Sequence, residues 1–327
     1  MSESKVALLG ISNAIVDVLA HVSHDIVDQL GAPPGSMTLV NAVEAQQRFL
    51  MMDDPRQSAG GSVANSIACF ASLGGHAAYI GRVADDIFGN AFADDMQSLG
   101  VDLRLKPETR EAPTARCHVF ITPGGERTMQ TYLGACVEIA PTDITEATIG
   151  APRVLLLEGY VWDTPDGPES MNKAVQLAKA NGADIALSLS DSFCVERHQQ
   201  AFEALAQGDA DIIIGNEAEV FQLFGVENFE QAATLAAESG KLFAITRSEH
   251  GSVIIRGNER HDQPADVIDK IEDATGAGDA YIAGFLYGYT RQQSFAESAA
   301  LATACASLAI QQVGARPPAA ELAALVR

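Results

Sequence analysis

Short apolar runs alternate with stretches of helical periodicity along most of this chain. The apolar runs are β-branched or leucine-rich, and they predict buried strands at residues 6–9, 154–157, 185–188, 212–214, 243–246 and 253–255. Apolar residues at helical spacing predict helices between them, over residues 170–180, 195–206, 229–238 and 295–312. Because strands that alternate with helices pair in parallel and are covered on both faces, the pattern predicts an α/β domain with a parallel sheet.

Two segments interrupt this alternation. Residues 14–22 extend the apolar run after the first strand, and residues 112–133 contain strand-like stretches at 116–121 and 128–132. We expect a small β lid formed by residues 14–40 and 112–133, attached to a large domain of residues 1–13, 41–111 and 134–327. Such a lid can close over a site and exclude water, and a static extra sheet edge is the alternative interpretation.

The composition fits a soluble globular protein. The 327 residues are 47% hydrophobic, and no apolar run approaches the roughly 20 residues that span a bilayer. The formal net charge of -22 argues against a nucleic-acid surface and against binding to an anionic membrane. An anionic ligand must therefore be held locally, by backbone amides, a cation or single arginines.

The five cysteines are scattered, odd in number and without a CxxC pair. We expect free thiols in a reducing cytoplasm rather than disulfides or a metal site built on cysteine. The first residues lack the basic start and long apolar core of a signal peptide, which also predicts a cytoplasmic protein. A monomer or a homodimer is expected.

The most informative motif is Asp273-Ala-Thr-Gly-Ala-Gly-Asp279, followed by apolar residues at helical spacing. This order describes a tight turn that leads into a helix, whose first N–H groups lack partners and stabilise an anion such as phosphate. A carboxylate in the same turn would repel that phosphate. We therefore hypothesise that Asp279 takes a proton from a nucleophile that attacks phosphorus. The alternative is an ordinary glycine loop in which Asp279 caps the helix.

A second glycine motif, Gly60-Gly61-Ser62-Val63-Ala64-Asn65, begins a predicted helix that runs to Leu73 and stops at Gly74. Ser62 is the expected N-cap, and the amide of Asn65 in the first turn suits vicinal hydroxyls because it both donates and accepts. An ordinary capped helix with a solvent-facing asparagine is the alternative.

Two polar pairs follow predicted strands. Asn13 and Asp17 come after the first strand, where open α/β sheets bind ligands, and Asp17 can hold two hydroxyls. Asn216 and Glu219 follow the strand at 212–214 and can hold water around Mg²⁺ with hard oxygen ligands. The alternatives are an exposed loop acid and ordinary surface acids at a helix start.

Together, and in this order, these motifs resemble the ribokinase-like (PfkB) family of carbohydrate and nucleoside kinases. Gly81-Arg-Val-Ala-Asp-Asp-Ile-Phe-Gly89 is a further match, and the resemblance extends to Gly314-Ala315-Arg316-Pro317. It implies a ribokinase-like three-layer α/β/α domain with a mostly parallel central sheet and a small β-sheet lid. It also implies transfer of the ATP γ-phosphate to a primary hydroxyl.

The resemblance also implies roles for single residues. Asp279 would be the catalytic base, and the amides of Gly276, Ala277 and Gly278 would form an anion hole for the transferred phosphoryl group. The residues expected to bind the acceptor are Asn13, Asp17, Gly61 and Asn65, with Arg127 of the lid reaching the phosphates on closure.

The remaining roles concern ATP and cations. Asn216 and Glu219 would organise Mg²⁺ through water, and Asp273 and Thr275, with the backbone near Gly314, match a K⁺ site found beside the anion hole in family members. The residues expected to contact the nucleotide are Asn216, Thr246, Ser248, Gly251 and Thr275. Ser248 stands where related kinases usually carry glycine, which adds a side chain close to the nucleotide.

Adenosine is the expected acceptor. Asn13 and Asp17 are four residues apart, as in adenosine-kinase-type members of the family, and aromatic residues near the site can stack on a purine. The aromatic candidates are Phe120, Tyr132, Tyr160 and Trp162, and packing of the lid is the alternative role for each.

Three other functions are alternatives to an adenosine kinase. A sugar kinase of the same family, acting on ribose, fructose or 2-keto-3-deoxygluconate, is the main alternative to an adenosine kinase. A non-catalytic sugar- or nucleotide-binding regulator would not need Asp279. A dinucleotide-dependent oxidoreductase would need Gly-x-Gly-x-x-Gly after the first strand, and Leu9-Gly10-Ile11-Ser12 does not supply it.

Overall fold

A computed structural model describes residues 5–327 of the chain. These residues form fourteen β-strands: β1 (Leu8–Ile11), β2 (Ile15–His21), β3 (Met37–Leu39), β4 (Arg56–Gly60), β5 (Ala77–Ile80), β6 (Asp102–Leu103), β7 (Ala115–Ile121), β8 (Arg127–Tyr132), β9 (Val154–Glu158), β10 (Asp184–Ser188), β11 (Ile212–Asn216), β12 (Leu242–Thr246), β13 (Ser252–Arg256) and β14 (Glu259–Gln263).

The same residues form twelve α-helices: α1 (His24–Asp28), α2 (Ala42–Leu50), α3 (Ser62–Ser72), α4 (Ile87–Ser98), α5 (Glu146–Ile149), α6 (Gly167–Ala180), α7 (Ser192–Gln207), α8 (Glu217–Phe224), α9 (Phe229–Ser239), α10 (Ala277–Thr290), α11 (Phe295–Ile310) and α12 (Ala319–Ala324). Among residues 5–327, none of these helices has both the length and the apolarity that crossing a lipid bilayer requires.

Nine strands form the central sheet, in the order β14-β13-β12-β11-β10-β9-β1-β5-β6 within the described part of the chain. Pairing is parallel from β6 to β12, and β13 and β14 add antiparallel strands at one edge. Buried apolar side chains pack on both faces of this sheet, which is why its strands are nearly continuous apolar runs. The predicted three-layer α/β/α class with a mostly parallel sheet is confirmed.

All six predicted strands of this sheet are present, with ends that differ by one or two residues from the prediction. The pattern alone did not reveal β5, although it pairs directly with β1 in the middle of the sheet. Its sequence Ala-Ala-Tyr-Ile is short and alanine-rich, and therefore carries little of the β-branched signal that marks a buried strand.

A second sheet of five strands has the order β3-β8-β7-β2-β4. It contains the expected strand segments of residues 14–40 and 112–133, and it also includes Arg56–Gly60, which the sequence-based prediction assigns to the large domain. That strand reads Arg-Gln-Ser-Ala-Gly and starts with two exposed residues, so it has no apolar alternation that identifies it.

The two faces of the second sheet differ. Val16, Val18 and Phe120 point to one face and pack in the main core with Val27 of α1. Side chains of the opposite face form a separate small apolar cluster, which comprises Cys117, Val119 and Ile121 with Ile15, Leu19 and Met129.

Candidate active site

Asp279 lies in the first turn of α10 and is held by two donors from α3. The Ser62 hydroxyl donates to Asp279 Oδ1 at 2.7 Å, and Asn65 Nδ2 donates to Asp279 Oδ2 at 3.0 Å. These residues are 217 and 214 positions apart in the chain, and the packing of α3 on α10 brings them together. The carboxylate is therefore fixed in orientation, as a base that must face one reacting hydroxyl requires.

Ser62 does not cap α3, so that prediction was wrong. The N-cap is Gly61, which has φ 97°, and no side chain makes a capping hydrogen bond at this end of the helix. A Cβ at Gly61 would overlap the carbonyl oxygen of Asn13, so only glycine permits this approach. The close contact joins the first turn of α3 to the loop after β1, and it leaves the Ser62 hydroxyl available for Asp279.

Three carboxyl groups share the site, and the protein around them disfavours their charged forms. Removal from water raises the pKa of Asp279 to about 6, against the lowering effect of the Asn65 and Ser62 hydrogen bonds. Removal from water likewise raises the pKa of Asp17 to about 6, opposed mainly by the positive charge of Arg316. Asp279 is thus ionised above a pH of about 6 and ready to accept a proton at neutral pH.

Glu158, the third carboxyl group, was not among the predicted site residues. It ends β9, is 1% exposed, and accepts a hydrogen bond from the backbone N–H of Val63 at 2.9 Å. Burial raises its pKa to about 7. Its signal in the sequence was an acid directly after an apolar run, at the carboxyl end of a strand where α/β sheets bind ligands.

Several buried polar atoms of the site have no protein partner. They are Asn13 Oδ1, Asn65 Oδ1 and Arg127 Nη2. Asn13 and Asn65 are 6% and 5% exposed. A buried amide oxygen or guanidinium nitrogen without a hydrogen bond is costly, so these atoms point to a polar ligand that satisfies them.

Replacing Ser62 with alanine is expected to shift the acid limb of the kcat/KM profile to higher pH. The hydroxyl favours the ionised Asp279 and lowers its pKa, so its removal raises that pKa by up to about one unit. A base is active only when deprotonated, so activity is lost at a higher pH as the pH falls. Ser66→Ala is the matched control, because Ser66 lies one turn further along α3 and bonds only to the Ser62 carbonyl. An acid limb that stays in place in Ser62→Ala would contradict this role.

The backbone before Asp279 forms an open cradle. Gly276 is the N-cap of α10 with φ 76°, and a Cβ there would overlap the Ala315 carbonyl oxygen. A Cβ at Gly278 would meet no heavy atom within 4 Å. Gly278 therefore lies beside unfilled space at a helix N-terminus, the arrangement that suits a phosphoryl group. The N–H of Ala277 donates to the Ala274 carbonyl at 3.3 Å.

Asn216 and Glu219 bind each other in a capping box at the start of α8. Asn216 Nδ2 donates to Glu219 Oε1 at 2.6 Å, and the Glu219 N–H donates to Asn216 Oδ1 at 3.0 Å. Burial raises the pKa of Glu219 to about 7. Each carboxylate oxygen keeps a second lone pair, so the pair fits the water shell of Mg²⁺ rather than the ion itself. Within residues 5–327, no group of three or more acidic, histidine or cysteine side chains is arranged to bind a metal directly.

The segment expected to contact the nucleotide follows β12. Thr246 ends that strand, and Ser248 begins a short 3₁₀ helix, Ser248–His250, with φ 50°. Gly251 closes this turn through its N–H, which donates to the Ser248 carbonyl at 3.0 Å. Ser248 thus adopts the left-handed backbone that glycine prefers, at a cost of about 1 kcal/mol, and its side chain is exposed.

Two of the four aromatic candidates, Phe120 and Trp162, are buried in the cores of the protein. Phe120 is 0% exposed and packs in the main core on the far face of the second sheet, and Trp162 packs edge-on against Phe202 in the other core. Stacking on a purine is therefore wrong for these two, and packing, the alternative role, is what the structure gives them. Strand alternation turns Phe120 away from the face that carries Asp17, and Trp162 is buried against Phe202. Tyr132 and Tyr160 are half-buried, and Tyr160 donates to Asp191 at 2.6 Å.

The face of the second sheet that carries Asp17 is mostly apolar. Cross-strand register aligns Asp17 with Cys117, Thr131 and Leu39 in one row. Ser58 lies on the other side of Asp17 in that row, and the next row consists of Arg56, Leu19, Val119, Met129 and Met37. Met37 and Leu39, on the edge strand β3, are 56% and 63% exposed, so apolar surface of this face remains uncovered at that edge.

The chain is similar in sequence and in structure to several kinases. The pfkB family of carbohydrate kinases matches residues 36–322. The crystal structure of an adenosine kinase from Sinorhizobium meliloti is 42% identical, with a TM-score of 0.88 over 98% of both chains. A probable sugar kinase from Rhizobium etli is 37% identical, with a TM-score of 0.88 over 98% of both chains. Adenosine kinase 2 of Arabidopsis thaliana is 26% identical over 95% of both chains.

Proposed function

Because this chain belongs to the pfkB family of carbohydrate kinases and is a kinase, we propose that it transfers the γ-phosphate of ATP to the 5′-hydroxyl of adenosine. The observation that carries the proposal is the carboxylate of Asp279, fixed by Ser62 and Asn65 at the start of a helix where Gly278 lies beside unfilled space. A phosphate cradle and a base in one turn serve phosphoryl transfer to a hydroxyl.

In the proposed reaction, Asp279 accepts the proton of the acceptor hydroxyl as that oxygen attacks the γ-phosphorus in line. The amides of Gly276, Ala277 and Gly278 stabilise the charge on the transferred phosphoryl group. Asp17, Asn13 and Asn65 bind the other hydroxyls of the acceptor through their carboxylate and amide groups. Asn216 and Glu219 would hold water molecules of an ATP-bound Mg²⁺, and that ion would offset the charge of the phosphates.

The apolar face of the second sheet favours a nucleoside over a bare sugar. Leu39 exposes apolar surface in the row of Asp17, and Met37 does so in the next row. Cys117, Val119 and Met129 continue that surface. A purine buries such surface, whereas a ribose or fructose molecule presents hydroxyls on all sides. The likeness to an adenosine kinase at 42% identity supports the same choice.

A sugar acceptor is the second candidate, supported by the likeness to a probable sugar kinase at 37% identity. The residues that would bind hydroxyls serve both classes. We also infer a reducing cytoplasmic environment, because the five cysteines of the sequence are buried and unpaired in the fold.

The acceptor is tested by an ATP-consumption screen with adenosine, other nucleosides, ribose, fructose, 2-keto-3-deoxygluconate and 5-dehydro-2-deoxygluconate. Adenosine is expected to give the highest kcat/KM. Replacing Leu39 with serine is expected to raise KM for adenosine and to leave KM for any weakly used sugar unchanged, because only the base contacts apolar surface. Efficient turnover of ribose without turnover of adenosine would contradict the proposal.

A further inference from the structure

We propose that the guanidinium of Arg127 supplies, at Asp273, the positive charge expected from a monovalent cation, so that this kinase needs no K⁺. The inference concerns the site of the proposed kinase function, and its main readout does not depend on the acceptor. The resemblance to PfkB kinases implied a K⁺ site at Asp273 and Thr275. The contacts of Asp273 do not fit that ion.

Every position around the Asp273 carboxylate is taken by a donor. Oδ1 accepts from the Thr275 N–H at 3.1 Å and from its hydroxyl at 2.7 Å. Oδ2 accepts from the Gly314 N–H at 2.9 Å and lies 2.6 Å from Arg127 Nη1. A carboxylate offers about four lone-pair sites, and these four contacts use them.

The ion pair is shielded from solvent. The side chains of Arg127 and Asp273 are 13% and 5% exposed. A K⁺ ion could reach the Asp273 oxygens only by displacing the guanidinium, and that exchange would leave the largely buried charge of Arg127 without its partner. Arg127 is therefore the resident cation of this loop.

Arg127 can hold Asp273 and still bind a phosphate. Its Nη1 makes the contacts to Asp273 and, at 3.3 Å, to the Thr275 hydroxyl. Its Nη2 is buried and has no partner. Because the guanidinium is a planar fork, one nitrogen can fix the loop while the other donates to a phosphate oxygen.

The position of this pair links two parts of the fold. Arg127 is the first residue of β8 in the second sheet, and Asp273 precedes the Gly276–Gly278 turn by three residues. Arg127 thus acts as a positioning residue that orients the anion-hole loop from the second sheet. A monovalent cation would provide charge at the same place without that link.

The test compares KCl with tetramethylammonium chloride at equal ionic strength. The wild-type thermal midpoint and kcat are expected to be the same in both salts, within about twofold for kcat, because an ion without a site shifts no equilibrium. Arg127→Met leaves Asp273 without its cation, so its ligand-free thermal midpoint is expected to fall in tetramethylammonium and to recover as K⁺ is titrated. Arg127→Lys is expected to restore insensitivity to K⁺.

Arg56→Met is the matched control, because Arg56 is an exposed arginine of the same sheet. It is expected to melt as the wild type does in either salt. A wild-type enzyme that K⁺ stabilises or activates several-fold would overturn the proposal, as would an Arg127→Met protein that K⁺ does not stabilise. The thermal readout keeps its meaning even if adenosine is not the acceptor, since it uses no substrate.

Discussion

Asp279→Asn is expected to lower kcat by about 10³-fold or more while ATP and adenosine still bind. The introduced amide has the size of the carboxylate and can still accept from the Ser62 hydroxyl. It cannot take a proton at neutral pH, because an amide has no basic oxygen of comparable pKa. The loss should therefore be in kcat, with Kd values for both ligands changed little when measured by calorimetry.

Asp211→Asn is the matched control for this substitution. Asp211 precedes β11, at the opposite end of the strand from Asn216, and its carboxylate accepts from the Ile185 N–H at 2.9 Å. It undergoes the same chemical change, and its kcat is expected to stay at the wild-type level. An Asp279→Asn enzyme that retained near-normal turnover would remove Asp279 from the role of base.

Alanine at Gly276 and alanine at Gly278 are expected to fail in different ways. At Gly276 the new Cβ would overlap the Ala315 carbonyl, and φ is 76°, so the turn must shift. We expect a lower thermal midpoint and a loss of about 10²- to 10³-fold in kcat, as when an oxyanion donor is misplaced. At Gly278 the Cβ meets no protein atom within 4 Å, so the thermal midpoint should not change.

Gly276→Ala is expected to lose both stability and activity, whereas Gly278→Ala is expected to lose activity alone. Gly278→Ala places a methyl group in the space that we assign to the phosphoryl group, so kcat and ATP affinity should fall although the protein is as stable as the wild type. Differential scanning fluorimetry and steady-state kinetics on the two variants measure both properties. Normal kinetics for Gly278→Ala would show that the open space beside this turn is not where the phosphate binds.

Motifs contained within one turn were predictable from the sequence. Gly276–Asp279 forms the start of α10 as expected, because glycine spacing and an apolar helical face are local signals. The partners of Asp279 were harder to assign. Asn65 was predicted as a substrate ligand and Ser62 as a cap, yet both donate to a carboxylate more than 200 residues away. A hydrogen bond between distant segments leaves no spacing that a single sequence reveals.

The same limit applies to Arg127 and Asp273. Each was singled out, one for phosphates and one for K⁺, and their ion pair became evident only when β8 lay against the loop before α10. Phe120 shows the opposite case. Strand alternation decides to which face of the second sheet the Phe120 side chain points. The sequence alone does not show which face carries the site, because that depends on the pairing register of the strands.

Product analysis by phosphorus NMR tests the central claim most directly. Wild-type enzyme with ATP, Mg²⁺ and adenosine is expected to form ADP and adenosine 5′-monophosphate in equal amounts, and Asp279→Asn is expected to form both about 10³-fold more slowly or slower still. ADP without the nucleoside monophosphate, or no ADP until a sugar replaces adenosine, would contradict phosphoryl transfer to a nucleoside at this site.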